Sequence, residues 1–375
     1  MKFRWTLAPP QPLLAGQLSA QLKISPLLAQ CLLNRGFSEA VDIEKFLAPR
    51  LKNLADPFLL PNMDAAVARL LRAHEQPEPL VIFGDYDVDG VTSTTVLLEV
   101  FRKLGWRADA YLPHRMDEGY GLSRDGVENC LKKFSLPRRS GAKAGGDILL
   151  LAVDCGSTAV ETVAWLKQNG VDVIVLDHHQ VSNPPPSAVA LVNPQIGNRQ
   201  SAIGNFQELC SAGLAFKLAH ALVKRGRETG LPGAAEFDLR PLLDLVALGT
   251  IADLVPLTGE NRILVTAGLE RLNVTRRAGI LALKEVAQSP EKLGTHDIGF
   301  QLAPRLNAAG RLETAEESLR LLLAETLEEA LRLAQNLDAV NRERQNIERG
   351  IFEEVAGRVL AKFDAQKGVV IVGGQ

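Results

Sequence analysis

The feature that most constrains this chain is an apolar run that leads directly into three carboxylates, within residues 79–95 (PLVIFGDYDVDGVTSTT). The run at 80–83 is short, partly β-branched and bounded by Pro79 and Gly84, which is typical of a buried strand in a parallel sheet. Three acids follow it at alternate positions: Asp85, Asp87 and Asp89. Ligands bind at the carboxyl ends of strands in open α/β sheets, and crowded carboxylates repel one another unless a cation holds them. The stretch therefore predicts a metal site at the end of a strand.

A helix is predicted after the acids. Apolar residues recur at helical spacing up to Leu104, and Gly105 follows as a stop signal. Thr92 or Ser93 is expected to be the N-cap, because short hydroxyl side chains can accept a hydrogen bond from the first turn. The unit is then strand, acidic loop and helix, the building block of an α/β fold.

Three kinds of site have an acidic loop of this type and are compared with the sequence. The first is an EF-hand calcium loop, but its twelfth position requires Glu and holds Val96, and a strand precedes the loop in place of a helix. The second is a haloacid-dehalogenase-like phosphatase with Asp87 as nucleophile, which requires Thr directly after the glycine, where Val91 stands. The third is a binuclear metal phosphoesterase, which requires further carboxylates and histidines downstream. The rest of the chain decides between them.

Acids and histidines recur at the ends of later strands. Further strands are predicted at 108–112, 148–153 and 173–176. Asp154 follows the second of these directly, and His178 and His179 follow the third. The 24 residues from Asp154 to His178 span one βαβ step, so adjacent parallel strands would place the two side by side. Asp and His are ligand types that suit Mn²⁺ and Mg²⁺.

Two more residues are candidates by their position. Asp253 lies in an exposed turn between Ala252 and Leu254, after a helix predicted at 238–248, and is expected to be a further acid at the edge of the sheet. Such an acid between apolar neighbours is unfavourable unless it is ligated. Arg115 lies in a glycine-punctuated loop after a strand and is a candidate phosphate clamp, although a plain surface arginine is the alternative.

Composition places the chain among ordinary globular enzymes. It has 375 residues, 46% of them hydrophobic and 23% charged, enough for about two domains. Its four cysteines are scattered without a CxxC pair, which favours a reducing cytoplasm over a disulfide framework or a zinc site. No apolar run is long enough for a membrane span. The net charge is −2, so any nucleic-acid binding must depend on a local positive groove and on metal ions.

Taken together, these motifs resemble the DHH phosphoesterases. The resemblance rests on DYDVDG (85–90), Asp154, DHH (177–179) and Asp253. Within that family, EGYGLS (118–123), GTIADLVPL (249–257) and PRLNAAGRL (304–312) are similar to bacterial exodeoxyribonucleases specific for single strands. The resemblance implies an α/β fold with a DHH-type parallel sheet flanked by helices.

The resemblance also implies a role for each motif. Asp87 and Asp154 would bind one divalent ion, and the other would be held by Asp89, Asp154, His178 and Asp253. Asp85 is included among the candidate ligands. His179 is expected near the scissile phosphate, so the implied catalytic residues are His179, Asp154 and Arg115. The implied substrate-binding residues are Arg115, Arg305, Asn307 and Arg311.

The implied function is a 5′→3′ exonuclease of single-stranded DNA that uses two divalent cations, Mn²⁺ or Mg²⁺, in recombination and repair. Two such ions can activate water and stabilise the charge of an in-line displacement. The implied partners are single-stranded DNA, a single-strand-binding protein and a helicase, with no membrane. Two alternatives stay open: a non-catalytic DNA-binding scaffold of the replication machinery, and a DHH phosphoesterase acting on small cyclic or oligomeric nucleotides.

The predicted domain organisation has four parts. A long charged stretch at 313–364 is predicted to be helical and resembles the connector to a second, DHH-associated domain. The final apolar run is expected to be the first strand of that domain, so we expect the chain to be a fragment. The boundaries are an N-terminal helical segment at 1–60, the catalytic domain at 61–300, the connector at 301–366 and the strand at 367–375.

Overall fold

The structure is a computed structural model that describes residues 6–134, 148–196, 206–312 and 314–362. Its strands are β1 (Leu80–Gly84), β2 (Ala108–Tyr111), β3 (Ile148–Val153), β4 (Val171–Leu176) and β5 (Ala190–Val192). Its α-helices are α1 (Pro12–Leu22), α2 (Pro26–Leu33), α3 (Ala40–Leu47), α4 (Met63–Glu75), α5 (Val88–Lys103), α6 (Arg115–Glu118), α7 (Arg124–Lys133), α8 (Val160–Gln168), α9 (Ser211–Thr229), α10 (Leu243–Ala252), α11 (Gly259–Asn273), α12 (Ala278–Val286), α13 (Thr295–Asp297), α14 (Ala303–Leu312), α15 (Glu316–Leu323) and α16 (Leu327–Lys362).

The five strands form one parallel sheet in the order β2–β1–β3–β4–β5. The predicted α/β class with helices around a parallel sheet is therefore confirmed. Strand β4 begins at Val171, two residues before the predicted start, and pairs with β3 along its whole length. Because β3 and β4 are parallel neighbours, Asp154 and His178 leave the same edge of the sheet from adjacent strands, as predicted.

Both faces of the sheet are buried, which explains why its strands are continuous apolar runs. In β3, Leu149 and Leu151 belong to a large core that they share with α4, α5, α9 and α10. Leu150 and Ala152 point to the opposite face and pack in a smaller core with residues of α7 and α8. Helices α5, α9 and α10 also pack against one another, and they carry metal-site residues at their ends.

Helix α5 begins earlier than predicted. Its N-cap is Asp87, whose carboxylate accepts the Gly90 N–H (3.0 Å), so Thr92 and Ser93 lie inside the helix and the predicted caps there are wrong. The Thr92 and Ser93 hydroxyls instead donate back to helix carbonyls, to that of Val88 (2.7 Å) and to that of Asp89 (2.6 Å) respectively. The acidic loop from Asp87 onward is consequently the start of the helix itself, and Asp85 precedes it.

The N-terminal helices α1, α2 and α3 form a small core of their own. A buried ion pair fixes the segment that follows them to the rest of the molecule. Lys217 of α9 lies 2.6 Å from a carboxylate oxygen of Glu260 in α11 and donates to the carbonyl of Ala55 (2.9 Å). Glu260 in turn accepts the Ala55 N–H (2.6 Å).

The long helix predicted within 313–364 is present as the 36-residue α16. The strand predicted at 367–375 lies outside the described residues, and the four domain boundaries stay predictions. No helix within the described part of the chain has the length and apolar character needed to cross a membrane.

Candidate metal centre

The first two ligand candidates flank Val88 at the start of α5. Asp87 is the N-cap, and Asp89 lies one residue inside the helix, 2% exposed. The backbone N–H groups of Ser211 (2.7 Å) and Ala212 (2.8 Å), at the start of α9, donate to the two oxygens of Asp89. Both carboxylate oxygens of Asp89 are thus held by another helix, whereas Asp87 accepts a hydrogen bond from its own helix.

Asp154 follows β3 in a left-handed backbone conformation (φ 63°) and is 1% exposed. That conformation is unfavourable for most residues with a side chain, although Asp and Asn tolerate it best. In this conformation the Asp154 carboxylate accepts a hydrogen bond from the Ser211 hydroxyl (2.9 Å).

His178 faces three carboxylates at distances longer than hydrogen bonds. Its Nε2 atom lies 3.5 Å from Asp154, 3.7 Å from Asp253 and 3.9 Å from Asp89. Within the described residues, His178 Nε2 and Asp253 Oδ2 are buried and have no hydrogen-bond partner. Ligands about 2.1 Å from one octahedral ion are about 3–4 Å apart, so the spacing fits a shared divalent cation. Without such an ion, buried polar atoms that lack a hydrogen-bond partner would be unfavourable.

Asp253 reaches this cluster from a helix. It is the residue that follows Ala252 at the end of α10, and its side chain is 22% exposed. Asp253 lies in a turn beside His178 at the edge of the sheet, as expected, but it is half-buried and follows a helix, because α10 extends four residues beyond the predicted end at Leu248. Packing of α10 against α5 carries Asp253 to Asp89.

His179 has different surroundings from His178. Its Nδ1–H donates to Asp177 (2.8 Å), and Asp177 also accepts backbone N–H groups of His178 (2.8 Å) and Ser157 (3.0 Å). The bond to Asp177 raises the pKa of His179 to about 9. Burial acts to raise the pKa of Asp177, but the hydrogen bonds outweigh it and lower that pKa to about 2. His179 is therefore a cation at neutral pH, and Asp177 serves to orient it.

Burial makes the carboxylate cluster hard to ionise without a cation. Burial, then the charge of Asp87, raises the pKa of Asp85 to about 7 and that of Asp253 to about 6. The pKa values of Asp89 and Asp154 are also raised by burial and by neighbouring acids. Burial lowers the pKa of His178 to about 4, which leaves its imidazole neutral and able to act as a ligand.

A cleft of about 340 Å³ opens onto the metal loop, which we define as residues 85–89. The Arg115 guanidinium lies 5.4 Å from the centre of the Tyr86 ring, and Tyr120 packs edge-on against that ring. The residues lining the cleft are Asp85, Tyr86, Asp87, Val88, Asp89, Arg115, Tyr120, Ala252, Asp253, Asn307 and Arg311. Arg115, Asn307 and Arg311 are thus brought to the same cleft from distant parts of the chain.

Arg305 does not line this cleft, contrary to its predicted place beside Arg311. Its guanidinium pairs with Asp338 of α16 (2.9 Å) and donates to the Gln301 carbonyl (2.6 Å). Residues 305 and 311 are six apart in one helix, so they face different sides of α14.

Sequence reasoning missed the start of α9. Ser211 and Ala212 hold Asp89 and Asp154 mainly through backbone N–H groups, which leave no mark in a sequence. The position before the helix is Cys210, which is not a usual N-cap residue. The Ser211 hydroxyl was the one signal available.

Mn²⁺ is expected to raise the melting temperature of the protein, and EDTA to reverse the effect. An ion at a hundred times its dissociation constant stabilises the folded state by about 2.7 kcal/mol. Since the pKa of Asp253 is raised to about 6, protons compete with the ion, and the stabilisation should shrink as the pH falls through that value. Differential scanning calorimetry with Asp253→Asn, and with the exposed acid changed in Asp109→Asn as control, checks this. An unchanged melting temperature, or equal losses in both variants, would contradict a metal site here.

The chain is similar to known proteins of the DHH family. The model of the N-terminal domain of the DHH family matches residues 79–250. The single-stranded-DNA-specific exonuclease RecJ of Bacillus subtilis is 38% identical over 371 residues, covering 99% of this chain and 44% of that protein. RecJ of Escherichia coli is 37% identical, covering 88% of this chain and 55% of that protein. The chain thus spans about half the length of the curated relatives it matches.

Solved structures of RecJ proteins are also similar to this chain. A structure of exonuclease RecJ bound to manganese aligns with a TM-score of 0.67 and 34% identity, covering 80% of this chain and 70% of that one. RecJ from Thermus thermophilus, in complex with Mn²⁺, aligns with a TM-score of 0.74 and 31% identity, covering 96% of this chain and 48% of that one. The chain therefore belongs to the DHH family and, within it, to the RecJ family.

Proposed function

We propose that this protein hydrolyses single-stranded DNA from its 5′ end, as a metal-dependent exonuclease. The observation that carries the proposal is the set of buried carboxylates around His178 Nε2, at spacings that fit a divalent cation and not hydrogen bonds. The names of the relatives supply the substrate class, and the structures of RecJ with manganese support Mn²⁺ as a cofactor.

Two divalent ions, Mn²⁺ or Mg²⁺, are the proposed cofactors. By the family resemblance, Asp87 and Asp154 would hold one, and Asp89, Asp154, His178 and Asp253 would hold the other. Ligand atoms of Asp89, His178 and Asp253 lie within 4.8 Å of one another, which supports the second site. Asp85 lies beside them in the metal loop. When bound, such ions activate a water molecule and stabilise the negative charge that develops on a phosphodiester.

Two arginines of the cleft and His179, beside the carboxylate cluster, supply the remaining chemistry. Arg115 and Arg311 carry positive charge into a cleft that is otherwise acidic, where they would hold DNA phosphates. His179, protonated at neutral pH through its bond to Asp177, would donate a hydrogen bond to the reacting phosphate. Its ring is 44% exposed, so a substrate can reach it.

We further propose a cytoplasmic role in DNA recombination and repair. A single-strand-binding protein and a helicase are the proposed protein partners, since a single-strand exonuclease requires unwound DNA. These proposals rest on the resemblance to the RecJ exonucleases.

The test is release of mononucleotides from 5′-labelled single-stranded DNA in Mn²⁺, with duplex DNA and EDTA as controls. We expect release only from the single strand and only with the metal. Binding of DNA without release in any metal would favour the non-catalytic scaffold. Hydrolysis of short or cyclic nucleotides alone would favour the small-nucleotide phosphoesterase.

Removing the cleft arginines is expected to weaken DNA binding and flatten its salt dependence. For single strands, the slope of log affinity against log salt changes by about 0.7 for each phosphate that the protein no longer neutralises. The double variant Arg115→Ala/Arg311→Ala should therefore change the slope by about 1.4. Fluorescence anisotropy over a salt series measures it, with the exposed Arg276 changed in Arg276→Ala as control. A slope equal to that of the control would make both residues ordinary surface arginines.

A further inference from the structure

One residue of α14 holds the backbone of the metal loop. Val88 is the first residue of α5, and its N–H lacks a partner within the helix, as is usual for a first turn. That N–H donates to the side-chain oxygen of Asn307 (2.9 Å), which is 219 residues away in the chain. Val88 is only 1% exposed, so water would not readily replace this acceptor. Asp87 and Asp89 are the residues on either side of it.

Helix α14 also lies against the loop by its backbone. A Cβ atom on Gly310 would come within 2.3 Å of the Tyr86 carbonyl oxygen, a distance that no side chain tolerates. Glycine at this position therefore permits α14 to touch the loop directly. Tyr86 stands between Asp85 and Asp87, so α14 contacts the loop on both sides of Asp87.

The opposite side of α14 is fixed to other helices. Arg305 pairs with Asp338 of α16 (2.9 Å), and the Ser318 hydroxyl of α15 donates to the Leu306 carbonyl (2.9 Å). The place of Asn307 is therefore set by the packing of α14, α15 and α16, and not by the metal loop itself.

We propose that Asn307 is a positioning residue for the metal centre: its side-chain oxygen fixes the Val88 N–H, and so places the carboxylates of Asp87 and Asp89. The inference rests on the proposed function and revises the substrate-binding role that the resemblance implies for Asn307. The two ligands should not depend on it equally. Asp89 is also held by Ser211 and Ala212, whereas the hydrogen bond of Asp87 is to its own helix, to Gly90.

A simple substrate contact predicts something different. Asn307 lines the cleft, and its side-chain NH₂ could donate to a DNA phosphate. In that case its removal would weaken DNA binding and leave Mn²⁺ binding unchanged. If Asn307 positions the ligands, its removal should weaken Mn²⁺ binding in the absence of DNA, and mainly at the site that contains Asp87.

The experiment compares Asn307→Ala with Asn307→Asp, which keeps the acceptor oxygen and removes the NH₂ group. Mn²⁺ titration calorimetry without DNA should show that Asn307→Ala weakens one of two binding events by about tenfold, the loss typical of residues that orient metal ligands. A new carboxylate can itself raise metal affinity, so hydrogen exchange at the Val88 amide is the second measurement. Exchange should be faster in Asn307→Ala and remain slow in Asn307→Asp.

Two outcomes would overturn the proposal: unchanged Mn²⁺ affinity in Asn307→Ala, or unchanged Val88 exchange in that variant. If Asn307→Ala does not fold, Asn307→Ser, whose hydroxyl is too short to reach as far, takes its place. Because neither measurement uses DNA, a wild-type chain that binds Mn²⁺ but cuts no DNA would refute the proposed function without deciding this one.

Discussion

Asp154→Asn is expected to lower nuclease activity by about three orders of magnitude or more. Asp154 is the one carboxylate assigned to both ions, so its loss removes a ligand from each at once. Metal ions contribute several kcal/mol to transition-state stabilisation, and each 1.36 kcal/mol corresponds to a factor of ten in rate. Asn is the suitable substitution because it keeps the shape of the side chain, accepts the Ser211 hydroxyl and tolerates the left-handed backbone at this position.

The same variant should be at least as stable as the wild type in EDTA. Burial and the neighbouring acids raise the pKa of Asp154, so its ionised form is less favourable in the folded than in the unfolded protein. At a pH above the unfolded value, that carboxylate destabilises the metal-free fold, and a neutral amide relieves the repulsion. Nuclease rate in Mn²⁺ and melting temperature in EDTA are the two measurements, with Asp109→Asn as control. Near wild-type cleavage would remove Asp154 from the site, and parallel losses of rate and stability would make it a structural residue.

Arg277→Met is expected to lower the free energy of unfolding by about 3–5 kcal/mol, the usual loss when one partner of a buried ion pair is removed. The guanidinium of Arg277 pairs with Glu99 of α5 and lies 3.4 Å from Asp244 of α10. It also donates to the carbonyl of Leu322 (3.3 Å). Asp244 is 2% exposed, so the substitution leaves a buried carboxylate without its cation.

Arg276→Met is the matched control, since it changes the neighbouring residue, which is exposed. Surface substitutions of this kind usually stay within about 0.5 kcal/mol. Denaturation in urea measures both variants. If Arg277→Met and Arg276→Met were equally stable, the contacts that Arg277, the residue before α12, makes with α5, α10 and α15 would contribute nothing to stability.

The sheet and most of the site were predictable because both follow from short-range patterns. A continuous apolar run identifies each buried strand, and an acid or histidine directly after it must lie at the carboxyl edge of a parallel sheet. Asp87, Asp154 and His178, which lie one to three residues after a strand end, are placed by this reasoning alone. The family resemblance was needed to identify Asp253 as a candidate metal ligand and the residues of α14 as candidate substrate-binding residues.

What the sequence could not show depends on packing over long distances. Whether Arg305 or Arg311 faces the cleft depends on the rotation of α14, which its contact with α16 decides. The start of α5 was misplaced because Asp87 is both a candidate ligand and a helix cap, and the two roles have the same sequence pattern. The backbone donors of Ser211 and Ala212 have no side-chain signature at all.

The contact between Asn307 and Val88 has a consequence for the order of events during synthesis. The two residues are 219 positions apart, so the metal loop is synthesised long before Asn307, which is proposed to hold its backbone. At about 5–20 residues per second, that interval lasts roughly 10–45 seconds. A growing chain therefore holds its acids in a loop that nothing yet fixes from this side. Full metal affinity, and any DNA cleavage that depends on it, should arise only once α14 has emerged and packed.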